Sequence, residues 1–277
     1  MGKNFFKTTL LLGVLTGLLL LIGGLVGGRV GVVVAFVFAA AMNLGSWWFS
    51  DKIVLRMYRA QPIDESQAPE LFSMTAALAQ RAGIPMPKLY VLPQDAPNAF
   101  ATGRNPDHSA VAVTQGLLNL MDREEVEGVV AHELAHIRNR DTMTSAIAAT
   151  VAGAIASLAM WLRFGFLFGG RGARGGNPLV LLAVSLIAPL AATFVHMAIS
   201  RTREFAADAD AARFVGHPNG LIRALDKLGG YSQRIPMRAN PATQHMFIVK
   251  PFGGSGMARW FSTHPPIAER VRRLRGA

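Results

Sequence analysis

No cysteine occurs in the chain. Disulfides and thiolate chemistry are therefore excluded, and any strong metal site must be built from histidine and carboxylate side chains. Charge is scarce too: 16% of the 277 residues are Asp, Glu, Lys or Arg, against 51% hydrophobic. That is little charge for a soluble globular protein of this size. The acids are also unevenly placed. All 17 lie within Asp51–Asp141 or Glu204–Glu269, and residues 1–50 and 142–203 have none. There is no internal repeat and no nucleic-acid motif. The net charge of +11 therefore points to anionic lipid head groups rather than nucleic acid.

The acid-free regions hold the long apolar runs. Thr8–Val26 and Val30–Trp48 are each long enough to cross a hydrocarbon core of about 30 Å as a helix. Gly27-Gly-Arg-Val-Gly31 between them suggests a hairpin over 1–50, with Trp47, Trp48 and Phe49 as an interfacial aromatic belt. Lys3 and Lys7 ahead of the first run also suit a signal peptide, but no small-x-small cleavage site precedes the second run. A second pair of runs, Ser145–Phe168 and Leu179–Ile199, is joined by the glycine-rich Gly169–Pro178. It reads as a transmembrane or re-entrant hairpin over 145–199, with buried core helices as the competing reading. Lys3, Lys7, Lys52, Arg56, Arg59, Arg138, Arg140, Arg201 and Arg203 fall on one side of the spans, against Arg29, Arg171 and Arg174 on the other. This excess predicts that both termini and both polar segments, 51–144 and 200–277, are cytoplasmic.

Segment 51–144 reads as α+β. A helical pattern over Pro69–Ala82 ends at Gly83, and short β-like runs follow at Lys88–Leu92, near Asn98–Thr102 and at Ala110–Thr114. Asp122 has the character of an N-cap with Glu125 three residues on, opening a further helix. That helix carries His132-Glu133-Leu134-Ala135-His136. Residues four apart share one helix face, so both imidazoles can reach one metal ion, while Glu133 is placed to act on a metal-activated water.

Two histidines leave zinc short of ligands, because a catalytic site needs a third protein ligand and an open position. Glu204 stands out, just beyond the fourth apolar run as the His pair stands just before the third. Asp208, one turn on, can accept a hydrogen bond from a ligating imidazole. The alternative is that Glu204 and Asp208 pair with Arg201 and Arg203 on a solvated face. His196 reads as packed in the fourth run, and His108, His217 and His245 as surface residues.

His132–His136, Arg203-Glu-Phe-Ala-Ala-Asp208 and Thr263-His-Pro-Pro266 resemble the HtpX family of bacterial membrane metalloproteases, relatives of the CAAX prenyl proteases that share the gluzincin scheme. The N-terminal hairpin, Asn98-Ala-Phe-Ala-Thr-Gly103 and the second pair of apolar runs extend the likeness over nearly the whole chain. The resemblance implies a mainly α fold with a small β-sheet, membrane-anchored through two helical hairpins of four apolar spans, with a cytoplasmic zincin-like protease domain split into 51–144 and 200–277. It implies one zinc ion on His132, His136 and Glu204, Glu133 as catalytic base and Asp208 behind a ligand. It also offers His264 as an oxyanion stabiliser, against a reading of His-Pro-Pro as a rigid turn before a basic helix over Ile267–Leu274. Arg203 is equally an interfacial anchor, and Asn98 a turn residue.

The expected function is a zinc endopeptidase of the bacterial inner membrane that hydrolyses misfolded or damaged membrane proteins, holding substrate by edge pairing along Asn98–Thr102 or Ala110–Thr114. Three alternatives stay open: a membrane zinc-binding or transport protein without hydrolytic activity, a site-2-type intramembrane protease, and a catalytically silent scaffold. The acid-free spans speak against transport. The charged flanks Glu124–Glu127 and Arg138–Asp141 speak against a His pair inside the bilayer.

Overall fold

The computed structural model describes residues 2–143, 145, 201–231, 248 and 265–276. The second hairpin over 145–199 lies outside them beyond Ser145, and with it His196, as do His245 and His264. Within them the chain is mainly helical around a small mixed sheet.

Helix α1 (Gly2–Met57) is broken at Gly28, whose φ of 55° lies in the left-handed region. A β-carbon on either Gly23 or Gly31 would strike the other's backbone. Eight residues of straight helix would separate the two by about 12 Å, so the chain doubles back there. Among the described residues no helix is long and apolar enough to cross a membrane, and the two spans expected within 1–50 are not seen as such. The last turns of α1 dock on the sheet through Val54, Leu55 and Tyr58, and Arg104 lies over the Trp48 ring.

Strands β1 (Gln61–Pro62), β2 (Lys88–Leu92), β3 (Ala99–Asn105) and β4 (His108–Thr114) form one sheet in the order β1-β2-β4-β3. β2 and β4 run parallel; β1 with β2 and β3 with β4 are antiparallel. The period of two assigns the faces. Phe100, Ala110 and Ala112 meet α1, while Ala99, Ala101, Val111 and Val113 join the main core. β3 and β4 extend further than expected, to Asn105 and from His108, because a tight turn with a bulge between Gly103 and Asn105 closes the hairpin. β4 is interior and β3 forms an edge.

Helix α2 (Pro69–Ala82) ends at Gly83 in the left-handed conformation, as expected. After α3 (Gln115–Leu120), helix α4 (Arg123–Arg138) begins with a full capping box: Glu125 N–H donates to the Asp122 side chain and Asp122 N–H to the Glu125 carboxylate. α4 is the centre of the molecule, packed among α2, β3, α5 (Arg201–Val215) and α6 (Asn219–Tyr231). Gly128 and Gly220 permit the α4–α6 crossing, since a β-carbon on Gly128 would meet the Leu221 backbone and one on Gly220 the Glu124 carbonyl. Helix α7 (Ile267–Arg275) closes the core with Val271 and Leu274.

Candidate metal centre

α4 buries Val129, Val130, Ala131, Leu134, Ala135 and Ile137, which fixes the helix and aims His132, Glu133 and His136 away from solvent. α5 packs alongside and presents Glu204 and Asp208 from one face, four residues apart. Ligand atoms of His132, His136 and Glu204 all lie within 4.8 Å of one another. The two Nε2 atoms are 3.1 Å apart, and Glu204 oxygens stand 3.8 Å from that of His132 and 3.5 Å from that of His136. Two imidazoles and a carboxylate are borderline donors of the kind zinc accepts.

The other nitrogen of each ring has its own carboxylate. His132 Nδ1 is 3.0 Å from Asp208 Oδ1, and His136 Nδ1 is 3.3 Å from Asp141 Oδ2. In the neutral ring, donation from Nδ1–H leaves Nε2 with the lone pair a metal requires. Each carboxylate in turn meets an arginine. Arg270 forks onto Asp208 at 2.9 and 2.7 Å, and Arg203 Nε is 3.4 Å from Asp141 Oδ1.

Burial and these partners set the charges. Burial, with Arg270 adding to it, pushes His132 down to about 4. Burial pulls the other way on His136, but the Asp141 bond and the carboxylates of Glu204 and Glu133 carry it up to about 9. Asp208 falls to about 2, because Arg270 and His132 overcome the burial that would raise it. Burial lifts Glu133 to about 7, against a backbone hydrogen bond from Ala101 on β3. The centre thus sets the carboxyl groups of Glu133, Glu204, Asp208 and Asp141 against Arg270 and Arg203 in a nearly dry space.

Residues 65–277 match Peptidase family M48. The chain belongs to that family. Over 276 residues it is 53% identical to the "Protease HtpX homolog" of Desulforapulum autotrophicum, covering 98% of this chain and 89% of the relative. The relative of the same name from Desulfatibacillum aliphaticivorans is 54% identical over 278 residues, covering 99% and 90%. Among solved structures, Ste24p of S. mikatae is similar with a TM-score of 0.53 and 20% identity. That match covers 99% of this chain and 66% of the Ste24p chain, and speaks for the fold alone. As an M48 member related to HtpX proteases, the chain is a metalloprotease. M48 metalloproteases are zinc-dependent, and the cluster of His132, His136 and Glu204 could hold that ion. The family also supports a membrane-associated enzyme.

In this M48 chain the structure brings His132, Glu133, His136, Glu204 and Asp208 together, while His264 falls outside the described residues. His108 and His217 are exposed, as expected. The alternative of a solvated face does not hold for Glu204 and Asp208: both are buried, and their cation is Arg270 from the far end of the chain. Arg203 stands against Asp141. Asn98, buried just ahead of β3, accepts from Ala99 N–H, and its own N–H donates to Thr114.

Asp141 and Arg270 escaped the sequence reading. The signal for Asp141 was a carboxylate five residues past His136. For Arg270 it was an arginine on the same helical face as Ile267, Val271 and Leu274, whereas Arg272, Arg273 and Arg275 point outward.

Proposed function

We propose that the chain is a zinc-dependent endopeptidase of the bacterial inner membrane. In this reading it hydrolyses misfolded or damaged membrane proteins at the cytoplasmic face, with one zinc ion per chain. The observation that carries this reading is the meeting of His132 and His136 on α4 with Glu204 on α5, and Glu133 beside them. His132, His136 and Glu204 would hold the ion. Zinc, when bound, supplies Lewis acidity that polarises a carbonyl and makes water a nucleophile near neutral pH.

Glu133 does the proton work. A buried carboxyl lifted to about 7 can take a proton from water and return it to the leaving amine at the pH of the cell. A site built only to store or carry zinc has no use for such a group beside its ligands. The charged ends of α4 and its packing inside a globular core also fit a site-2-type enzyme poorly.

Substrate lies along β3, the outer strand, since β4 is paired on both sides. Ile248 N–H donates to Ala99 O, and Thr142 Oγ1 donates to Gly103 O. These contacts bracket Ala101, whose backbone N–H reaches Glu133. A peptide paired beside Ala101 therefore meets the general base, and edge pairing reads backbone more than side chains, which suits a broad substrate range. His264 is carried as an oxyanion stabiliser.

The membrane role rests on the limbs of α1, where Val30, Val33, Phe36, Val37, Leu44 and Trp48 are exposed. So large an apolar surface marks a membrane or protein contact. The hairpins 1–50 and 145–199 would anchor the halves 51–144 and 200–277, with basic side chains toward anionic lipid.

One substitution tests the chemistry. Glu133→Ala should retain zinc and lose cleavage of an unstructured, membrane-tethered substrate by at least about two orders of magnitude. Cleavage at the parent rate would remove Glu133 from the mechanism.

A further inference from the structure

We propose that Arg270, on the C-terminal helix, is a positioning residue that holds the metal centre assembled by locking Asp208 against His132 and standing beside Glu204. Its role presupposes the zinc site proposed above. Three neighbouring arginines of α7 are exposed, yet Arg270 is 1% exposed. Burying a guanidinium is costly unless its donors are matched, and here they are. Nε and Nη2 fork onto both Asp208 oxygens at 2.9 and 2.7 Å. Nη1 donates to Ile248 O at 3.1 Å and stands 3.6 Å from Glu204 Oε2.

Each contact constrains something the site needs. A carboxylate gripped at both oxygens cannot rotate. Asp208 Oδ1 therefore stays 3.0 Å from His132 Nδ1, and Nε2 stays turned toward His136 and Glu204. Ile248, whose carbonyl Arg270 holds, donates its N–H to Ala99 on the β3 edge. One side chain thus ties together helix α4, helix α5 and the strand beside Glu133. Arg270 is also a permanent cation next to carboxylates that would repel one another before any metal arrives. A lysine keeps the charge but not the planar fork, so Arg270→Lys separates geometry from electrostatics.

The test uses the full chain in detergent. Zinc affinity is measured by competition with a chelator, and the visible absorption of Co2+ bound in its place reports ligand geometry. Arg270→Lys should weaken zinc about tenfold or more, within the range known for groups that orient ligands, and change the Co2+ spectrum. Arg273→Ala, on the same helix but touching Glu269 and Phe205 instead of the centre, should change neither. The pair Asp208→Asn with Arg270→Met removes the buried ion pair as a unit and leaves Glu204 facing His136, and so keeps the fold should the single variant lose it; it too should bind zinc weakly. Parental zinc affinity and an unchanged Co2+ spectrum in either folded variant overturn the proposal. Glu204→Gln run alongside separates the two levels. If it too binds zinc like the parent, the metal site itself is misassigned; if it alone weakens binding, only the role of Arg270 fails.

Discussion

His132 and His136 sit one turn apart on α4, and each faces an aspartate backed by an arginine, but the two flanks differ in origin and in burial. On the His132 side the side chains are 1% to 4% exposed, and the partners, Asp208 and Arg270, come from sequence-distant helices α5 and α7. On the His136 side exposure rises to 16%, and Asp141 arrives from the next turn of chain. There Asn139 caps α4, and Arg140 adopts a left-handed φ of 58° that redirects the backbone. The distances follow the same order, 3.0 Å against 3.3 Å for His to Asp, and 2.7 Å against 3.4 Å for Asp to Arg. A common plan can thus draw its aspartate from long-range packing on one side and from a local turn on the other, while both arginines come from distant helices. In water-poor surroundings the long-range version is the stiffer.

If that ranking is right, the largest difference should appear in metal binding. Asp208→Asn should weaken zinc by up to about 100-fold and Asp141→Asn by about 10-fold, the two ends of the range for such partners. A chelator competition series measures both, and an equal or reversed ranking breaks the comparison.

Acid should also weaken the deeper flank. In the metal-free chain, Asp208 has a folded pKa of about 2 against its ordinary 3.8. Its contribution to stability, about 2 kcal/mol at 1.36 kcal/mol per pKa unit, is complete above pH 4. It is lost as pH falls from there toward 2. Denaturant titrations across that window should show a slope in the parent that Asp208→Asn flattens.

The smallest effect serves as a control. Asp122 caps α4 at the end remote from both flanks, so Asp122→Ala should lower stability by about 1 kcal/mol while the zinc affinity of the folded protein stays at the parent value. Loss of affinity there would mean that α4 transmits strain along its length, and that the flanks are not independent.

Much of the frame was legible because local chemistry specifies it. The Asp122–Glu125 box, Gly83 and the Pro69–Ala82 periodicity gave α2 and the start of α4 to the residue. The β-like runs Lys88–Leu92 and Ala110–Thr114 located β2 and most of β4. β3 was read short, because Gly103, Arg104 and Asn105 look like loop until the bulge pairs them with β4. The grouping was legible where spacing carries it, for His132, Glu133 and His136 on one helix; for Glu204 and Asp208 spacing left a solvated face open, and the family resemblance singled them out. The partner of Arg203 was not legible, since an arginine at the end of an apolar run looks like an anchor unless the turn at Arg140 has already brought Asp141 beside it.

What the sequence determined alone was the inventory and its local grouping: no thiols, two helical faces carrying nitrogen and oxygen ligands, and a capped helix to hold one of them. Which strand becomes the open edge, which arginine of a basic helix turns inward and which carboxylate backs which imidazole were settled only when distant segments packed. Those choices depend on burial, and burial is a property of neighbours that no stretch of chain possesses by itself.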